Sequence, residues 1–275
     1  MVEVAEDCVR ARQRKIDCGE DIGRIDMLAK LFDIREAHAK TKVGGAIDSF
    51  PFASIVQESF VGIFAGSDTT AIALRSIIYH LMKRPDSYQK LHSEIVAAVE
   101  AGDLLRDADA GYIRYADAIK LPYLLACCKE GMRLHPSVSM SMPRHVPVGG
   151  AEIAGRWFQG GDKVGVNAAV VHYDTTIFGD DVDVFRPERW FDGIKDAKLM
   201  DSHMLHFSAG PRTCLGKNIA LVEIYKLIPQ LVWEFDMELA HPDKEWVTNN
   251  VFLNKQTGIW VKVRKRERVA AFLDV

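Results

Sequence analysis

The 275 residues hold only five cysteines (Cys8, Cys18, Cys127, Cys128 and Cys214). The number is odd and contains no C-x-x-C pair, so no disulfide framework is expected and a reducing compartment fits. Charge of one sign is also lacking: 35 basic against 38 acidic residues leave a net charge of −3, with no basic field to draw nucleic acid. Ten prolines and twenty glycines are too few for a collagen-like or low-complexity chain. No uninterrupted apolar run approaches the roughly 18 residues of a membrane span. The first residues carry Glu3, Glu6 and Asp7 where a signal peptide would have a basic flank. A chain that is soluble, or at most peripheral, is expected. No internal repeat or long polar linker appears, so one body over 1–275 is expected.

What is present is a globular composition, 48% hydrophobic and 27% charged, with helical periodicity dominating. Two helical pieces, about Val2 to Ile16 and Ile25 to Ala37, precede a turn at Gly44-Gly45. The longest pattern runs from about Pro51 to Arg84 and stops at Pro85. It is apolar nearly all round, which predicts a buried central helix. Helices follow at about Asp86 to Glu100 and Pro122 to Leu134, the latter ended by His135-Pro136. Val146 to Val171 reads as two or three short strands joined at Gly149-Gly150 and Gly160-Gly161. An irregular region from Asp174 to His206 leads to a last helix that starts near Cys214 and bends or ends near Pro229. Short strands near Val251 to Leu253 and Gly258 to Val263 close the chain. The fold class is mainly α with a minor β-sheet. The basic clusters Arg10 to Lys15 and Arg264 to Arg268 read as solvated faces.

Chemistry concentrates first in Phe207-Ser208-Ala209-Gly210-Pro211-Arg212-Thr213-Cys214-Leu215-Gly216. A lone cysteine stands where an apolar-periodic helix begins, with Arg212 beside it. A thiolate at a helix N-terminus is stabilised by the helix dipole and free amides, as a ligand or a nucleophile. A buried structural cysteine is the bland alternative. Gly210 to Lys217 looks superficially like a phosphate loop, but the spacing is one residue too long and Asn218 stands where a hydroxyl would hold Mg²⁺.

The ten-residue string matches F-x-x-G-x-R-x-C-x-G at every fixed position and resembles the haem-binding signature of the cytochrome P-450 family. The resemblance implies the C-terminal part of that fold, with residues 1–49 leading into the central helix and 50–275 forming a haem-binding core. It implies haem b (iron protoporphyrin IX) as cofactor, with Cys214 as the thiolate ligand of its iron. Arg212 would contact a propionate, Phe207 would pack on the proximal face, and Gly210 and Gly216 would shape the loop around the porphyrin.

Two further constellations join it. Glu130 and Arg133 are three apart on a helix, usually an exposed pair. The helical wheel instead sets them opposite the stripe of Leu121, Leu125, Cys128 and Met132, beside Tyr123, Ala126, Cys127 and Leu134, so burial is expected. Pro187-Glu188-Arg189-Trp190 resembles the family's P-E-R element, which would make Arg189 the third member of an E-x-x-R triad. In the central helix, Ala65-Gly66-Ser67-Asp68-Thr69-Thr70 puts a glycine, a lone acid and hydroxyls into one turn. Glycine there costs about 1 kcal/mol relative to alanine, and the hydroxyls can open the ladder, so a functional break is expected. The stretch matches the family's [AG]-G-x-[DE]-T-T pattern. That implies proton delivery by Asp68 and Thr69 and an oxygen groove lined by Ala65 and Gly66. Arg144 falls where the family places a second propionate-binding arginine. His203 and His206 lack a third ligand at zinc spacing and read as surface histidines.

The flanks resemble fungal microsomal members near the pisatin demethylase group, enzymes of secondary metabolism at the endoplasmic reticulum facing the cytosol. The activity implied is monooxygenation of a small apolar organic substrate by O₂, with electrons from an NADPH-dependent cytochrome P-450 reductase. No G-x-G-x-x-G fingerprint is present here to bind the nucleotide directly. The family also carries a Trp-x-x-x-Arg element upstream of the central helix, whereas all five tryptophans lie at Trp157 or later. A haem-binding or interaction fragment without turnover is therefore the alternative expectation. Isomerase or dehydratase chemistry without O₂ is disfavoured by the Asp68-Thr69 pair.

Overall fold

The structure, a computed structural model, describes residues 1–20, 23, 25–40, 50–105, 111–191, 193 and 196–267. The turn expected at Gly44-Gly45 lies outside the described residues, as does Arg268. The chain divides into two compact units, Met1–Asp68 and Thr69–Val275.

In the first unit, α1 (Val2–Asp17) buries Ala5, Val9 and Arg12, one stripe at helical spacing. Arg12 belongs to a cluster that reads as a solvated face, yet it is only 6% exposed. Its burial is tolerated because its two terminal nitrogens meet the two carboxylate oxygens of Asp26 at 3.2 and 2.6 Å. Asp26 in turn accepts from the Ala29 amide at 2.9 Å, at the start of α2 (Met27–Lys40).

Helix α3 (Phe52–Lys83) carries the chain into the second unit. It runs unbroken through Gly66, so the break expected there is absent. Ser67 Oγ donates to the Phe64 carbonyl at 3.2 Å, a back-bond that leaves the helix intact. Nor is the helix buried along its length. Ile72, Ala73, Ile77 and Leu81 are buried, while Val61, Ile63 and Phe64 are 47%, 40% and 42% exposed. Among the described residues, α3 is the one helix long and apolar enough to cross a membrane, with 28% of that stretch buried. Its final turns belong to the second unit's core.

That core is built from α3, α4 (Pro85–Glu100), α5 (Tyr115–Ala118), α6 (Pro122–Leu134) and, further on, the helix Lys217–Glu234. Ile77 and Leu81, Leu91 and Ile95, Leu124 and Met132, and Ile224 and Ile228 pack into one cluster. Helix α6 opens at Pro122, and its exposed first amides are satisfied by a neighbour: Glu94 on α4 accepts from Tyr123 N at 2.8 Å and from Leu124 N at 2.9 Å. Its contact with α3 is close enough to need a glycine. A Cβ on Gly131 would fall 2.6 Å from Ile77 Cγ1 and 2.9 Å from Ile77 Cα. Ser76 Oγ donates to the Gly131 carbonyl at 2.8 Å across the same crossing.

After α6 come β1 (Arg144–His145), β2 (Ala151–Ile153), β3 (Arg156–Phe158) and β4 (Lys163–Val164), then α7 (Ala168–Val171), α8 (Thr175–Phe178) and α9 (Ala197–Ser202). The nominally irregular region thus holds two short helices and a 3₁₀ turn at Pro187–Trp190. Helix α10 (Lys217–Glu234) continues through Pro229 rather than stopping there. It is followed by β5 (Phe235–Leu239), β6 (Val247–Asn250), β7 (Asn254–Thr257) and β8 (Val261–Lys265). Residues 251–253, expected as a strand, form the turn between β6 and β7, which pair from Asn250 opposite Asn254 to Val247 opposite Thr257. Among the described residues the sheets are four antiparallel pairs: β1 with β4, β2 with β3, β5 with β8 and β6 with β7.

The α3–α6 crossing makes a specific demand. Gly131→Ala should lower stability by about 1–2 kcal/mol, because the backbone shift needed to seat a methyl exceeds the gain in helix propensity. Chemical denaturation of both proteins measures it.

Candidate functional site

The candidate site is assembled from the end of α6, the segment from α7 to the 3₁₀ turn, and the loop preceding α10. Glu130 and Arg133 face one another one helical turn apart and are both fully buried. Arg133 donates from Nε to Glu130 Oε2 at 3.0 Å and from Nη2 to Oε1 at 2.8 Å. The proline-led 3₁₀ turn delivers Arg189, whose Nε reaches Glu130 Oε1 at 2.9 Å, and Trp190, whose indole donates to Oε2 at 3.1 Å. The Arg186 amide adds a bond to Oε1 at 3.2 Å.

The remaining guanidinium donors are used as well. Arg133 Nη1 donates to the His172 carbonyl at 2.9 Å, and Arg189 Nη2 to the Asp181 and Val184 carbonyls at 2.9 and 3.1 Å. Arg189 Nη1 meets Asp181 Oδ1 at 2.8 Å. Burial pushes the Asp181 carboxyl up, but hydrogen bonds from Arg186 and Arg189 with their charges outweigh it and hold the group at about 2. A buried charge is tolerable only when paired and fully hydrogen-bonded, and that condition is met here residue by residue.

The cysteine loop follows. Ser208 and Gly210 take left-handed φ of 61° and 68°, a 3₁₀ turn spans Gly210–Arg212, and Gly216 caps α10. Cys214 therefore stands two residues before the cap rather than inside the first turn. Its amide donates to the Phe207 carbonyl at 2.9 Å, and Thr213 Oγ1 donates to the same oxygen at 3.2 Å. The backbone is pinned while the thiol stays exposed. A Cβ at Gly216 would lie 3.8 Å from Cys214 Sγ, so glycine keeps that flank of the sulfur clear. Leu215 is wholly exposed and Ile219 is 57% exposed. Arg212 and Arg144 are also exposed, Arg144 with Nη1 donating to the Met142 and Pro143 carbonyls at 3.1 and 2.9 Å.

On α3, Ala65, Gly66 and Asp68 fall in the first unit and Thr69 in the second. The Thr69 carbonyl accepts from Ser137 Oγ at 2.7 Å, which ties that turn to the chain leaving α6. Asp68 and Thr69 are half-buried. One histidine departs from sequence expectation, and another carries none. His206 is half-buried rather than fully at the surface: its ring packs on Phe207 with centroids 4.5 Å apart and its Nδ1 is shielded from water. His172, which no motif marks, is fully buried between α6 and the segment leading to the cysteine loop. Its only sequence signal is a histidine at the end of an apolar run, too common to single out. No group of three or more metal-ligating side chains occurs among the described residues.

A soft thiol presented beside exposed apolar side chains, with exposed arginines on the same unit, suits a flat apolar macrocycle that carries a metal and anionic edges. The donor set thus fits a haem better than a bare metal ion.

Two outcomes follow from this geometry. Glu130→Gln should cost about 3–5 kcal/mol in denaturant unfolding, since it leaves the buried Arg133 guanidinium without its counter-charge and Arg189 with Asp181 alone. Three histidines, His172 fully buried and His80 and His206 half-buried, set a pH window. Burial first, then neighbouring cations or a neighbouring histidine, lowers His80 to about 3 and His206 to about 3. Burial and the Arg133 charge lower His172 to about 4, against the raising effect of its bond to the Arg133 carbonyl. The unfolded chain takes up these protons below its own value near 6.5 and the folded chain does not, so stability falls as pH drops from about 6.5 towards 4. The expected slope is about 1.4 kcal/mol per histidine per pH unit, read from denaturation midpoints across that range.

Comparison with known proteins gives the family. The cytochrome P450 family model matches residues 1–263. The chain is 41% identical over 243 residues to the cytochrome P450 monooxygenase gsfF of Penicillium aethiopicum, an alignment covering 88% of this chain and 46% of that protein. It is 37% identical to the cytochrome P450 monooxygenase ACRTS1 of Alternaria alternata, over 88% of this chain and 61% of that one. It is 36% identical to the pisatin demethylase of Fusarium vanettenii, over 86% and 43%. The chain thus spans about half the length of these curated relatives. The helices around a buried E-x-x-R network, the exposed cysteine loop and the family match over 1–263 place this chain in the cytochrome P450 family.

Proposed function

We propose that the chain is the thiolate-bearing part of a monooxygenase that binds haem b through Cys214 and acts on a small apolar organic substrate. The observation that carries this reading is the exposed Cys214 thiol on a loop whose backbone is pinned to the Phe207 carbonyl. Haem, when bound there, would supply O₂ activation, one oxygen atom going to the substrate and the other to water.

The chain's own residues divide the remaining work. Cys214 would hold the iron, and the pinned loop keeps its sulfur from swinging away. Phe207 packs under the loop against the second unit's core. Arg212 would pair with one propionate. Arg144 would pair with the other by turning its Nη1 from the carbonyls of its own turn. Gly210 supplies the left-handed turn that brings Arg212 and Cys214 onto one loop, and Gly216 leaves the sulfur unobstructed. Ala65 and Gly66 have small side chains or none, so dioxygen could lie against α3. Asp68 and Thr69, consecutive on α3, would guide protons towards dioxygen. Glu130, Arg133 and Arg189 form a buried brace rather than a reacting group.

Electrons would come from NADPH through a separate cytochrome P450 reductase, and the whole protein would work at the endoplasmic reticulum membrane. The family resemblance supports both.

The test is spectroscopic. The protein is supplied with haem, reduced and exposed to CO. A Soret band shifted far to the red, as thiolate ligation produces, is the expected result, and Cys214→Ala should abolish it. A spectrum indistinguishable from free haem would overturn the reading.

A further inference from the structure

The roles proposed so far leave His172 unused, although it lies between the buried brace and the cysteine loop. It caps the C-terminus of α7 and is fully buried. Its Nδ1 lies 3.0 Å from the Arg133 carbonyl and its Nε2 2.8 Å from the Leu205 amide nitrogen. A carbonyl can only accept and an amide can only donate, so one ring state satisfies both contacts: neutral, with the proton on Nδ1 and the Nε2 lone pair facing Leu205. Burial, which holds the ring's pKa at about 4, maintains that state at neutral pH.

Each side of the ring is tied further. Towards the brace, Arg133 Nη1 donates back to the His172 carbonyl at 2.9 Å, and the Tyr173 hydroxyl donates to the Leu134 carbonyl at 3.0 Å. Towards the loop, the Leu205 carbonyl accepts from the Ser208 amide at 2.8 Å, closing a turn in which Ser208 has φ 61°. A non-glycine residue in that region persists only where its surroundings over-determine it. The next carbonyl but one, that of Phe207, receives the Cys214 amide. His206 does not share the link: its Nδ1 has no hydrogen-bond partner among the described residues.

We propose that His172 is a positioning residue: its neutral imidazole transmits the position of Arg133 to Leu205 and so sets where the Cys214 thiol is presented. The consequence at iron rests on the haem-thiolate reading above. The coupling between Arg133 and Leu205 does not.

Three variants separate the two bonds. His172→Phe keeps the ring and loses both. His172→Asn can place an amide nitrogen near the Nδ1 position but offers Leu205 no acceptor. His172→Gln can place its amide oxygen near the Nε2 position. The first readout, on the haem-free protein, is amide hydrogen exchange at Leu205 and Ser208, with Leu91 and Ile95 as reference. Phe and Asn should speed exchange at Leu205 and Ser208 by about tenfold or more, as loss of a hydrogen bond to a partly buried donor implies. Gln should restore it, and the reference amides should not change.

The second readout is the share of thiolate-type band in the reduced CO complex, expected to fall in Phe and Asn and to recover in Gln. Unchanged exchange at Leu205 in the Phe variant, or equal behaviour of Asn and Gln, overturns the coupling. Faster exchange with an unchanged band share overturns the positioning of the thiol. If the reference amides of the Phe variant also exchange fast, the Asn and Gln pair decides. A wild-type protein that gives no thiolate band defeats the haem-thiolate reading, and the exchange result then decides the coupling by itself.

Discussion

The Glu130 carboxylate is the point on which the second unit turns. Two guanidiniums, an indole and a backbone amide converge on its two oxygens, and they come from three places in the chain: Arg133 from α6, Arg189 and Trp190 from the 3₁₀ turn, and the amide of Arg186, the residue that caps that turn. An uncompensated charge at that depth would cost several kcal/mol, so the segment from Phe178 to Trp190 has little freedom to sit elsewhere. The network therefore acts less as a source of net stability than as a constraint on register. It holds a region poor in regular structure against a helix, and α9 follows that region in the chain before the cysteine loop.

Close approach of α3 and α6 is the second constraint, and it is met by the absence of a side chain at Gly131. The same four-residue stretch thus serves two neighbours. Glu130 and Arg133 look towards the 3₁₀ turn, while Gly131 lets Ile77 of α3 pack against the backbone. Ser76 and Ser137 add hydrogen bonds from either side of this junction to the Gly131 and Thr69 carbonyls. The turn of α3 that begins at Thr69 is in this way tied to the segment leaving α6.

Much of the helical framework was legible because apolar spacing and proline punctuation are local. Pro51, Pro85 and Pro122 each mark a helix start within one or two residues, and His135-Pro136 marks the end of α6. Burial of Glu130 and Arg133 followed from the helical wheel, since the residues beside them are as apolar as those opposite. Other features were misread for equally physical reasons. The apolar run in α3 could not reveal that Val61 to Phe64 stay exposed while Ile72 to Leu81 are covered, because coverage depends on neighbours distant in sequence. Residues 251–253 have strand-like composition but turn between β6 and β7. Arg12 looked like part of a charged face until Asp26 came round to meet it.

The sequence by itself determined the chemical inventory: a single cysteine in a glycine- and proline-shaped loop, an acid and an arginine one turn apart, and an acid-threonine pair on a long helix. Residue type and short spacing suffice for these, since they are properties of contiguous chain. Only the tertiary structure decided what those residues rest on. The order in which Arg189, Trp190 and the Arg186 amide share Glu130, the need for glycine at 131 and the neutral imidazole of His172 between Arg133 and Leu205 all depend on contacts across tens of residues. Hydrogen bonds of that kind are set by three-dimensional position, and no local pattern encodes them.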